Sequence, residues 1–226
     1  MGADLLFYLS RFIVLLFILP AHEFAHAFAA YKNGDNTAKL YGRYTLNPLK
    51  HFDPIGLICF LIADFGWAKP VPVNPYNFHN LKKGSFWVSV AGILTNYALA
   101  FLFYPMIYLV SRFLPVNNLT TFIYLICYWG FALDLSFCVF NLIPVFPLDG
   151  FRIIDTFVNK SNKAYQFLRK YGYYCLLALI LLSTVANRIP ELAFLDIFGY
   201  FMNFAVNVFG YPIKLFWNFI FSLIFG

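Results

Sequence analysis

Long apolar runs separated by short basic segments decide what this chain can become. Residues 5–31, 86–110, 121–140 and 171–186 carry few charges and are close to the length a helix needs to cross a bilayer. In lipid the backbone must satisfy its own hydrogen bonds, and unbroken apolar runs of this kind do so as helices. Of the 226 residues 62% are hydrophobic and only 12% charged, where a soluble domain is about a quarter charged. The expected fold is an all-α polytopic membrane protein with four to six membrane segments. A small β-hairpin or extended element is expected between the first and second full spans. One domain over residues 1–226 is the natural division, with its core at 5–158 and C-terminal membrane segments within 171–226.

The segments between the spans have their own grammar. The first run is interrupted by Arg11 and Pro20 and closes at Lys32-Asn33-Gly34-Asp35. Residues 54–65 are apolar but too short to cross, so a re-entrant, interfacial or packed segment is expected. Residues 66–73 combine prolines with β-branched residues, which suits an extended edge strand. The run at 121–140 breaks at Asn141, Pro144 and Pro147, and broken backbone at membrane depth belongs inside protein or beside a watery cavity. A basic connector, 152–170, leads to the short span 171–186. The apolar tail at 192–226 carries Asn203, Asn207, Lys214 and Asn218 at helical intervals, interrupted by Pro212, and is long enough either to span or to lie in the interface.

Charge placement gives an orientation. Segments 32–53, 69–83 and 152–170 hold four, three and five of the sixteen Lys and Arg, while 1–10 and 113–120 hold none. The positive-inside rule then places the N-terminus outside and the three basic segments in the cytosol. The net charge of +6 is thus explained by juxtamembrane cations facing anionic headgroups, and no nucleic-acid partner is expected. Cys59, Cys127, Cys138 and Cys175 lie in apolar stretches without paired ligand spacing and read as small core hydrophobes. The N-terminal run lacks a basic n-region and a small-residue cleavage site, so it is expected to remain in the protein.

Inside that first run stands His22-Glu23-Phe24-Ala25-His26. Histidines four apart on a helix share one face and can grip a single zinc ion, and a glutamate beside them can take a proton from water. Ionisable groups in a membrane helix are costly, which argues for a functional site. Such a site lies roughly 25–30 Å down a helix entering from outside, in its cytosolic part. Catalytic zinc usually has three protein ligands and one open position, and a carboxylate is the natural third. Asp149 is the best available, Asp134 is its competitor within a span, and Asp64 and Asp155 are weaker candidates at segment ends. His51 and His79 lie in polar loops and read as structural.

A second motif, Asn141-x-x-Pro144-x-x-Pro147-x-Asp149-Gly150, stands with the first in the order seen in the site-2 protease family of intramembrane zinc metalloproteases (peptidase family M50). The chain resembles that family over roughly residues 20–154, and further resembles its small single-domain bacterial members at 42–54 and 66–73. The resemblance implies one zinc per chain held by His22, His26 and Asp149, with Glu23 as general base and proton shuttle. Ala91-Gly92-Ile93-Leu94-Thr95-Asn96 is similar to the family's Ala-Gly-Pro-x-x-Asn, with Ile93 in place of proline. Asn96, Trp67 and Asn141 are the residues expected to meet substrate, Asn96 through the substrate backbone or the oxyanion. The alternative for Asn96 is a bond between helices. No PDZ-like or CBS-like extension is expected.

The expected activity is zinc-dependent hydrolysis of peptide bonds in or near transmembrane helices of membrane-protein substrates. The expected location is the inner membrane of a prokaryotic cell, with the site towards the cytosol. A membrane metal transporter and an inactive relative that binds helices are the rival readings.

Overall fold

The computed structural model describes residues 2–63 and 66–225. Helices α1 (Gly2–Lys32), α4 (Leu81–Phe113), α5 (Asn118–Leu142), α7 (Lys163–Ala186) and α8 (Ile197–Phe225) are long, and α2 (Thr37–Leu40), α3 (Pro54–Ala63) and α6 (Asp149–Phe157) are short. All five long helices are long and apolar enough to cross a membrane. Three of them start at asparagine caps. Asn80 accepts from the Lys83 N–H at the head of α4, Asn117 and Thr120 form a reciprocal capping box on α5, and Asn162 caps α7.

α1, α4 and α5 form the core. Val14, Leu15 and Ile18 of α1 pack against Leu99 of α4 and Ile126, Leu133 and Phe137 of α5. On the other side Ala100, Phe131 and Leu135 meet Ile213 of α8. Lipid tails are as apolar as these side chains, so association rests on close packing and on hydrogen bonds between helices. Such bonds join α1 and α5 to α4 at the site described below, and join α8 to α4 along its length.

α3 is a ten-residue helix, consistent with a packed segment that does not cross. Residues 66–73 run extended beside it. One antiparallel bridge joins Phe52 to Ala68, and the Lys69 N–H donates to the His51 carbonyl at 2.8 Å. Among the described residues no longer strand forms.

One expectation changes, and two segments left open acquire a definite form. Pro20 and Pro212 do not interrupt their helices, since α1 and α8 run through them as α4 runs through Pro105. Membrane helices tolerate proline where neighbouring helices and local adjustment accommodate the lost bond, and Pro20 is fully buried among neighbours. The basic connector is largely helical, because α6 occupies 149–157 and α7 begins at Lys163. The tail resolves into one long helix with a definite course. α8 starts beside the end of α5, with Phe198 against Phe140. It then climbs parallel to α4 through Tyr97–Phe209, Tyr104–Asn218, Tyr108–Phe221 and Phe113–Phe225. The turn Pro190–Leu195 joins α7 to α8, and Ser183 near the end of α7 donates to Asp196 just before α8.

Candidate metal centre

His22 and His26 project from α1 onto one face of α4, where Val88, Gly92 and Asn96 follow at intervals of four. His26 Nδ1 lies 2.7 Å from the Val88 carbonyl oxygen. A carbonyl only accepts, so Nδ1 carries a proton, and in the neutral ring Nε2 keeps a lone pair. His22 Nδ1 lies 2.5 Å from Asn96 Oδ1, with the same consequence. Gly92 makes room between them, because a Cβ there would stand 2.7 Å from both ring nitrogens of His22.

The third group arrives from the end of α5. The chain leaves α5 at Leu142, passes the cis Phe146–Pro147 peptide, and starts α6 at Asp149. Gly150 permits this close return, since a Cβ would meet the Leu142 carbonyl oxygen and lie 2.6 Å from that of Ile143. Asp149 Oδ1 faces Arg152 at 3.7 Å, while Oδ2 faces the histidines. The two Nε2 atoms are 3.0 Å apart, and Asp149 Oδ2 is 3.4 Å from that of His22 and 3.1 Å from that of His26. All three residues are buried.

With both rings neutral three lone pairs converge, and Asp149 Oδ2 has no hydrogen-bond donor. That arrangement repels itself unless a cation joins it. Ligands 2.0–2.1 Å from a tetrahedral ion stand about 3.3 Å apart, so the donor set suits zinc. Among the described residues this is the group of His, Cys, Asp or Glu that could hold a metal ion.

Glu23 is half-buried beside His22, and its Oε2 accepts from the Val71 N–H at 3.0 Å, tying it to the extended segment. That segment is braced from behind. Arg43 Nη2 donates to the Lys69 carbonyl at 2.5 Å and lies 3.3 Å from His51 Nδ1, while His51 Nε2 donates to the Thr45 carbonyl at 2.7 Å. Burial, with the Arg43 guanidinium alongside, pushes the His51 imidazole below its ordinary range, in keeping with the neutral form that this geometry needs. His51 is therefore structural, and Arg43 joins it there without having been singled out in the sequence.

The remaining candidates are placed as follows. Asn96 is fully buried, and its Nδ2 donates to Asp134 Oδ1 at 2.6 Å, so both ends of the amide are committed between helices. Asp134, the competitor for the third ligand, is likewise fully buried and faces Asn96. Asn141 Nδ2 donates back to the Phe137 carbonyl at 3.1 Å, within its own helix. Trp67 is half-exposed and lines a cavity of about 500 Å³ together with Leu15, Leu19, Gly56, Phe137 and Phe140. Asp155 accepts from the Tyr165 hydroxyl, away from the cluster, and Asp64 lies outside the described residues. All four cysteines are free thiols. Sequence reasoning missed the Val88 carbonyl, which no side chain advertises, and the space left by Gly92, which its four-residue spacing to Asn96 could have signalled.

Fold and site together define a multi-span helical membrane protein with a buried His₂Asp group suited to a metal. The chain is 40% identical over 172 residues to YwhC of Bacillus subtilis, provisionally named a zinc metalloprotease, which covers 74% of this chain and 78% of that one. It is 32% identical over 191 residues to Rip2 of Mycolicibacterium smegmatis, likewise provisionally named, covering 80% and 71%. It is 26% identical over 168 residues to the zinc metalloprotease MJ0392 of Methanocaldococcus jannaschii, covering 74% of this chain and 37% of that one. This chain belongs to that zinc metalloprotease family. No family model and no solved structure matches it significantly.

Proposed function

We propose that this protein is an intramembrane zinc endopeptidase of the site-2 protease type (M50), hydrolysing peptide bonds in or near the transmembrane helices of membrane-protein substrates. The supporting observation is the convergence of the His22, His26 and Asp149 lone pairs beside Glu23, on a helix long and apolar enough to span. In this reading those three residues hold one zinc per chain. Bound there, zinc supplies Lewis-acid polarisation of a carbonyl and a lowered pKa for water.

The chain's own residues do the rest. Glu23 takes a proton from the attacking water and delivers it to the leaving nitrogen as the C–N bond breaks, a role its Val71 contact keeps oriented. A helical substrate hides its carbonyls in hydrogen bonds and must unwind before attack. The extended segment 66–73, with a single bridge along it, offers backbone for pairing with the unwound strand, and Trp67 stands where that segment meets the cavity. The basic segments favour a cytosolic placement of the site in a prokaryotic cell membrane.

Cleavage of a defined transmembrane peptide by purified wild-type protein and by Glu23→Gln tests the reading. Loss of about 10²–10⁴-fold in rate is expected on removing the proton carrier. Equal cleavage by both proteins overturns the mechanism, and the transporter reading gains if neither cleaves while both bind zinc.

A further inference from the structure

We infer that Asp134 is a positioning residue for the metal centre: through Asn96 it sets which ring nitrogen of His22 carries the proton, and hence whether the His22 Nε2 lone pair is available to a cation. The inference rests on the reading of His22 as a metal ligand. A carboxamide presents oxygen at one end and N–H₂ at the other, and either end can face an imidazole. With its oxygen towards His22, as here, Nδ1 holds the proton and Nε2 is a ligand. With its nitrogen towards His22 the proton moves to Nε2, and the lone pair that completes the converging group is gone.

The contact behind Asn96 decides between these two states. Asp134 Oδ1 lies 2.6 Å from Asn96 Nδ2, in a pocket where both residues are fully buried. A carboxyl group has no N–H, and the oxygen turned to Asn96 accepts. The second oxygen, Oδ2, meets no donor, so the Asn96 amide is the donor that this buried group has. With Asp134 as the carboxylate, which only accepts, turning the amide over sets oxygen against oxygen and strips Asp134 of that bond. The line of contacts therefore runs Asp134 on α5, Asn96 on α4, His22 on α1, crossing all three core helices in two bonds of 2.6 and 2.5 Å. His26 needs no such device, because the Val88 carbonyl cannot turn over.

The test uses full-length protein in detergent micelles, labelled with ¹⁵N-histidine. ¹⁵N resonances of the metal-free protein, recorded at alkaline pH where both rings are neutral and Asp134 is ionised, report which nitrogen of each ring is protonated, and competition with a chelator gives the affinity for zinc. Asp134→Asn keeps the shape but offers Asn96 either oxygen or N–H₂. In wild type His22 is expected on Nδ1–H. In Asp134→Asn part of it shifts to Nε2–H while His26 stays unchanged, and zinc affinity falls about 10–100-fold, the usual scale for a partner one shell out. Asn96→Leu combined with Asp134→Asn binds zinc no more weakly than Asn96→Leu alone. An unchanged His22 tautomer, losses that multiply in the double variant, or a His26 signal that shifts equally each overturns the inference. Peptide cleavage is not read, so a failure of the peptidase proposal leaves the result intact.

Discussion

His22 and His26 sit four residues apart on one helix and face the same carboxylate, yet their surroundings hold them by different means. His26 leans on backbone: its Nδ1–H meets the Val88 carbonyl, which belongs to a helix and keeps its direction whatever the side chain at 88. His22 leans on side chains: Asn96 in front, Asp134 behind, and the empty space at Gly92 alongside. Orienting a ligand through its second nitrogen is a general device. Here one copy of it is built into the fold and resists substitution, and the other depends on three residues that single changes can undo.

That asymmetry can be broken in stages. The largest effect is expected where the two sides are equivalent. His22→Ala and His26→Ala each remove a proposed ligand, and both are expected to lose stoichiometric zinc when the purified protein is analysed by elemental mass spectrometry. Gly92→Ala comes next, because its methyl group falls on the His22 ring. A loss of zinc affinity near 100-fold is expected, measured by chelator competition. Asn96→Leu follows, at about 10–100-fold in the same assay. Val88→Ala should have the smallest effect, within about twofold, because the carbonyl that His26 needs remains. A Val88→Ala loss as large as that of Asn96→Leu would erase the distinction between the two sides.

The sequence carried the frame of this molecule well. Long apolar runs mark the spans, and the length of 54–65 marks it as too short to cross. It was less informative wherever direction depends on a neighbour. Pro20 and Pro212 look like breaks in one dimension and are absorbed in three, because surrounding helices accommodate the missing bond. The tail showed a helical polar stripe, but its course along α4 follows from partners such as Tyr104 for Asn218. At the site, His22, Glu23, His26 and Asp149 were visible as residue types at a telling spacing. Asn96 was visible too, though its amide turns to Asp134 and His22, and Asn141 turns into its own helix. Residue type marks chemistry, whereas the partner of each polar end is fixed by packing between helices far apart in the chain.

The central claim is that His22, His26 and Asp149 together hold one zinc while Glu23 stands beside it without holding it. Zinc per chain, measured on wild type, Glu23→Gln and Asp149→Asn purified side by side, tests this most directly. The account predicts one zinc in the first two and clearly substoichiometric zinc in Asp149→Asn. Full occupancy in Asp149→Asn, or loss of zinc in Glu23→Gln, would contradict it.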